Sequence, residues 1–124
     1  MMSKRLLLWL SWSRLVLHAW RERIHRSRQQ KQGIWPATIC AELPEVLKAQ
    51  TLYLWGDEQG IWQVVMICPC GCKETLHMTT LNDDWPSWKI ERHSDGTTTL
   101  SPSIWRKIGC RSHFFVRRGK IQWC

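Results

Sequence analysis

The sequence predicts an α+β protein: a small β-rich domain of hairpins with one short helix, preceded by a basic N-terminal helix. Three observations carry this. Charge is unevenly divided, the texture switches near residue 34 from helical spacing to short apolar runs, and those runs are punctuated by turn-forming residues. Residues 1–33 hold eight Lys/Arg against the single acid Glu22, a net +7. Residues 34–124 hold ten Lys/Arg against nine Asp/Glu, a net +1. The overall charge of +8 therefore belongs to the N-terminal segment. A nucleic-acid-binding core is disfavoured.

Residues 4–32 read as one helix, with Leu6, Leu10, Leu17, Trp20 and Ile24 at helical spacings and Arg14, Arg21, Arg28 and Lys31 on much of the remaining surface. Gly33 suits the C-terminal cap and Pro36 blocks continuation. Such a helix can pack on its own domain with a solvated basic face, lie on an anionic membrane surface, or dock a protein partner. The division expected is 1–33 as a basic amphipathic extension and 34–124 as the β-rich domain. Arg14 interrupts the first apolar run and no small-residue cleavage site follows, which argues against a cleavable signal peptide. The apolar runs also fall short of the ~20 residues that span a bilayer. A cytoplasmic, reducing location is the expectation, and there clustered cysteines point to metal or catalysis. Ten tryptophans in 124 residues promise unusually large buried area per core residue.

In the second part, "TLYLW" (51–55) and "IWQVVMI" (61–67) flank "GDEQG" as a hairpin. "ETLHM" (74–78) reads as a further strand. "WKIER" (88–92) and "TTTLS" (97–101) flank a turn at Asp95–Gly96. In "SPSIWRKIG", Ser101 as N-cap, Pro102 in the first turn and Gly109 as stop predict the short helix. "HFFV" and "KIQW" around "RRG" form a last hairpin that ends in Cys124.

Between the second and third of these strands lies "CPCGC", with Cys68, Cys70 and Cys72 at alternate positions. That spacing is too tight for unstrained disulfides within the group. Thiolate coordination of a metal, zinc above all, suits it better, with Pro69 and Gly71 permitting a sharp turn around the ion. The second half-site has two sources: "CRSH", with Cys110 and His113, and the terminal Cys124. Cys72, Cys110 and Cys124 are the leading ligands, joined by Cys70 or Cys68, with His113 competing for the fourth place. Two cysteine-bearing hairpins brought together by a metal resemble a zinc ribbon without its usual spacing. Cys40 reads as a small core residue and His77 as a structural strand residue.

The combination of "CPCGC", "DGTTTLSPSIW" and "GCRSHFFVRRGKIQWC" resembles a family of short bacterial zinc-binding proteins. Long described only as a domain of unknown function, its members are encoded beside ubiquitin-like modifiers and their activating and conjugating enzymes. The likeness spans about residues 42–124. It implies serine-type peptidase activity that trims a ubiquitin-like precursor or removes the modifier from targets, with structural zinc. It also implies Ser103 as nucleophile and His113 as base. A Ser103 in the first turn of the short helix would have backbone N–H groups nearby for an oxyanion. Asp95, Glu74 and Asp84 are candidate orienting acids. Five cysteines leave His113 free for catalysis, because the metal does not need it.

Two other classes remain open at this level. In a noncatalytic zinc module that recruits a protein partner, His113 would ligate the metal. Metal-dependent hydrolysis would need an open coordination position, and the sequence has no His-Glu metalloprotease motif. A nucleophilic cysteine in "CPCGC" would spoil the metal site.

Overall fold

The computed structural model describes residues 4–124, and side chains from Trp12 onward. Helix α1 spans Lys4–Lys31. The Leu6 and Leu10 positions of its predicted apolar face lie outside the described side chains. Its end is a Schellman cap: Gly33 has φ 79°, its N–H reaches the Gln30 carbonyl at 3.1 Å, and the Ile34 N–H reaches Gln29 at 2.8 Å.

Eight strands follow: β1 Ala37–Cys40, β2 Leu52–Asp57, β3 Gly60–Ile67, β4 Thr75–Thr79, β5 Lys89–Arg92, β6 Thr98–Trp105, β7 His113–Arg117 and β8 Lys120–Trp123. They form two four-stranded sheets, ordered β1-β2-β3-β4 and β5-β6-β7-β8. Pairing is antiparallel except for β1 with β2. The α+β class and the hairpins at 52–67, 89–105 and 113–123 agree with the sequence reading.

The sheets share one core. Leu52, Leu54, Val64, Met66, Leu76 and Met78 from the first sheet meet Leu100, Ile104, Phe114 and Val116 from the second. Period-two alternation puts Leu100, Ile104, Phe114 and Val116 inward on β6 and β7, and leaves Ser103, Trp105, His113 and Phe115 on the outer face. In β2 and β3, Tyr53 and Val65 are buried as well, so these strands are covered on both sides. The Tyr53 hydroxyl accepts from the Lys48 N–H at 2.8 Å, which ties the 41–51 connection over that outer face.

Two expectations are corrected. Residues 101–109 are not a helix: "TTLSPSIW" is strand β6, followed by a loop. Pairing with β7 and inward burial of Leu100 and Ile104 outweigh the local capping signals. Pro102 itself disfavours helical backbone at Ser101, and it sits where the register slips between Leu100 and Ile104, a place that tolerates a missing N–H. The tryptophans do not build the core either. Among the described residues Trp35 alone belongs to the buried set, while Trp85 is 93% exposed and Trp12, Trp20, Trp105 and Trp123 are mostly exposed. Bulk that the two thin sheets cannot enclose is left at the surface.

Trp35 joins the segment after α1 to the last hairpin, its N–H donating to the Gly119 carbonyl at 2.7 Å. Gly119 has φ 73°, and a Cβ there would lie 2.8 Å from Ile34 Cγ2. Gly119→Ala should therefore destabilise the fold by about 1–3 kcal/mol, from left-handed strain and the clash together. The shift of the urea midpoint at unchanged slope checks this.

Candidate active site and metal centre

Two loops approach from different sheets. The first, residues 68–74, joins β3 to β4 and is closed by the Cys68 N–H donating to the Glu74 carbonyl at 2.8 Å. The second, residues 106–112, joins β6 to β7 and is closed by the Arg106 N–H donating to the Ser112 carbonyl at 2.8 Å. Each contains the same local device. Gly71-Cys72-Lys73 has φ 93° at Gly71 and 66° at Lys73, and Gly109-Cys110-Arg111 has φ 78° at Gly109 and 55° at Arg111. A left-handed residue on each side of a cysteine curls the backbone around its sulfur. Lys73 and Arg111 hold that conformation without being glycine, a cost that structures tolerate where function requires the shape. This repeat of Gly-Cys-basic is legible in the sequence as "GCK" and "GCR", but it escaped the sequence reading.

The loops bring Cys68, Cys70, Cys72 and Cys110 together, with all four sulfurs within 4.8 Å of one another. Cys68 Sγ lies 3.4 Å from Cys70 Sγ and 3.7 Å from Cys110 Sγ. A disulfide needs about 2.05 Å. Tetrahedral zinc with bonds of ~2.3 Å needs sulfur separations of ~3.8 Å, so the arrangement fits a zinc site. Cys124 and His113 stand outside this group. Cys124 ends the last hairpin, its N–H donating to the His113 carbonyl at 3.0 Å. Cys68, considered as an alternative to Cys70, is present together with it.

The surroundings favour thiolates. Ser112 Oγ, buried, sits 3.2 Å from Cys110 Sγ and 3.8 Å from Cys68 Sγ. Arg106 Nη1 donates to Cys110 Sγ at 3.1 Å and to Cys72 Sγ at 3.5 Å, while its Nη2 pairs with Glu74. The hydroxyl and N–H of Ser112 bring the Cys110 thiol down to about 6. Ser112 and the Cys72 N–H also hold Cys70 below its ordinary value. Burial pushes Cys68 the other way, up to about 11. Four sulfurs this close cannot all be thiolate without a cation among them, and the Arg106 guanidinium offsets only part of that charge. Sequence reasoning missed Arg106 and Ser112, since neither type at that spacing signals a metal.

Beside this cluster, on the outer face of the second sheet, Ser103 Oγ and His113 Nε2 are 2.9 Å apart. The sequence separates them by ten residues. Antiparallel pairing closes the gap, because Trp105 lies opposite His113 and Ser103 precedes Trp105 on the same face. Between Leu100 and Ile104 β6 carries two more residues than the β7 stretch it pairs with, and Ser103 lies on this bulged segment. The Trp88 indole N–H donates to the Ser103 carbonyl at 3.4 Å and holds that segment from the side. With its proton on Nδ1, His113 accepts the Ser103 hydroxyl through Nε2, the contact required of a general base.

The three candidate acids are engaged elsewhere. Asp95 takes the Thr97 hydroxyl and N–H and faces Arg118, Glu74 pairs with Arg106, and Asp84 accepts from Thr79. The imidazole is flanked by rings instead. Trp105 stacks on it at 5.0 Å between centroids and 15° between planes, and Phe115 lies at 6.4 Å. Because Ser103 is in a strand, the expected helix N–H groups for an oxyanion are absent from its position. His77 lies on β4, its Nδ1 3.1 Å from Gln63 Oε1, in keeping with a structural role, and Cys40 is half-buried on β1 rather than in the core.

With a serine–imidazole pair beside a four-cysteine cluster, the comparison with known families is decisive. Residues 39–124 match the model of the bacterial ubiquitination-like system serine protease family, BubE. The chain belongs to the BubE family. Neither the curated proteins nor the solved structures return a match. The BubE match takes in the four cysteines of the cluster together with Ser103 and His113, and begins inside β1. Helix α1 lies outside it.

Metal analysis of single variants separates the cysteines. Cys110→Ser should lose bound zinc and lower the melting temperature, whereas Cys124→Ser should keep a full equivalent. Arg106→Gln should retain the fold and bind zinc roughly 10–100-fold more weakly, as found for partners that orient metal ligands. Competition with a chromogenic chelator reads all three.

Proposed function

We propose that this BubE-family chain is a serine peptidase, stapled by structural zinc, that cleaves at the C-terminal tail of a bacterial ubiquitin-like protein, in its precursor or its conjugates. The observation that carries the reading is the 2.9 Å contact from Ser103 Oγ to His113 Nε2, both half-buried on the outer face of the second sheet. In the reaction Ser103 Oγ attacks the scissile carbonyl while its proton moves to His113 Nε2. His113 then protonates the leaving amine, and water activated by the same nitrogen releases the acyl group. Trp105, stacked on the imidazole, would restrict its rotation, which is the orienting part of what an acid does in a triad.

Zinc would be bound by Cys68, Cys70, Cys72 and Cys110, and when present it supplies no reacting group, since four thiolates close the coordination sphere. Its service is positional. It ties the 106–112 loop, which leads straight into His113, to the 68–74 loop of the other sheet. The engagement of His113 with Ser103, outside the sulfur group, speaks against the noncatalytic module in which His113 ligates the metal. Residues 34–124 would form the catalytic unit and 1–33 an appendage. Free thiols in this number suit a reducing, cytoplasmic setting. Among the described residues no helix is long and apolar enough to cross a membrane.

Ser103→Ala should abolish cleavage of a ubiquitin-like conjugate and leave zinc content and melting temperature unchanged. Cleavage at the parental rate by that variant would refute the proposal. Trp105→Ala should lower kcat/KM by on the order of 10–100-fold with zinc retained, because the imidazole loses its flanking ring.

A further inference from the structure

We infer that helix α1 is an interfacial anchor that lies flat on an anionic lipid surface and holds the catalytic body beside it. Three features of the helix lead there. Its apolar side chains are uncovered: Trp12 is 66% exposed, Leu15 66%, Val16 48%, Leu17 52% and Trp20 58%. Trp12, Val16 and Trp20 recur every four residues on one face, with Leu15 beside them. Arg14, His18, Arg21 and His25 follow one another along another face.

The body does not claim these side chains. α1 is tied to it near its last turn, where Gln50 Nε2 donates to the Gln30 carbonyl at 2.7 Å. Even there an open cleft of about 510 Å³ separates Glu22, Arg23 and Arg26 from Thr38, Lys48 and Tyr53. Packing on its own domain, one of the roles the sequence allowed, is not what the apolar face does.

Charge identifies the occupant. Residues 1–33 carry eight Lys/Arg against one Glu, so α1 brings a strong positive charge to its exposed apolar side chains, while the body as a whole is net +1. Nucleic acid would use those charges but would leave Trp12, Val16 and Trp20 in water. An anionic bilayer takes both: the aromatic and aliphatic groups enter the headgroup–acyl boundary, and the arginines meet lipid phosphates. Tryptophan is the residue type that favours this boundary. At 28 residues the helix is ~42 Å long. The arginines and histidines along it make it lie on the surface and not span it, in agreement with its failure to qualify as a membrane span.

The test is co-sedimentation of the 124-residue chain with vesicles of phosphatidylcholine alone or mixed with phosphatidylglycerol. Binding to the mixed vesicles should be at least about 100-fold tighter and should vanish in molar salt. The Trp12→Ser/Trp20→Ser variant, and separately Arg21, Arg23, Arg26 and Arg28→Gln, should each bind at least about tenfold more weakly. Both should keep full zinc content, the sign that the body is folded whether or not it cleaves conjugates. Failure to bind the mixed vesicles, or equal binding to both kinds, overturns the inference. So does a helix-mediated dimer, seen by light scattering, that binds no vesicles, or an RNA oligonucleotide bound in preference to them.

Discussion

The pairing of β6 with β7 is the constraint on which the rest of this molecule depends. Ile104 opposite Phe114, and Leu100 opposite Val116, are almost completely buried and lock the second sheet onto the first. A strand buries one face only by presenting the other, so Ser103, Trp105, His113 and Phe115 are placed outward by the same contacts. The extra residues on β6 between Leu100 and Ile104 let the chain carry "SPS" without breaking the core register on either side. The serine and the imidazole are thus a product of packing on the reverse of the sheet, and no helix is needed to position them.

A second constraint joins the two sheets elsewhere. Hydrophobic burial joins the sheets through their faces, and the sulfur group joins them through two loops at one end. The loops are also linked by Arg106 and Glu74, so an ion pair accompanies the cluster. Cys110 is only three residues from His113, and between them Ser112 contributes a hydroxyl to the sulfurs. Loop geometry, metal affinity and the position of the imidazole are therefore coupled over a very short stretch of chain. Repulsion among four thiolates would disfavour the cluster without a cation, so a metal held there would contribute to folding as well as to the site.

The tryptophans show how a small sandwich distributes large side chains. Trp35 closes the core beside the last hairpin, Trp88 reaches the Ser103 carbonyl, and Trp105 lies against His113. Trp12 and Trp20 are carried away from the body on α1. Two four-stranded layers enclose little volume, and beside Trp35 it is filled mainly by Leu, Val and Met with Ile104 and Phe114. The remaining indoles are available for surfaces, as ring partners near the dyad and as apolar contacts on the helix.

By itself the sequence determined the α+β class, the basic helix with its Gly33 cap, the hairpins and the clustering of thiols in "CPCGC" that suits a metal. These are local signals: helical spacing, period-two alternation, turn residues and clustered thiols each act over a few neighbours. Its resemblance to a zinc-binding family also pointed to Ser103 and His113, and the BubE match agrees with that resemblance. What only the tertiary structure decided is where these groups meet. "SPSIWRKIG" carries good helix-capping signals and is nonetheless a strand, because burial of Leu100 and Ile104 against β7 outweighs a cap worth ~1 kcal/mol. Cys68, and not Cys124, completes the sulfur group, because the loops that follow β3 and β6 converge. Sequence spacing cannot report such convergence, since it depends on how two sheets pack and not on how far apart residues stand in the chain.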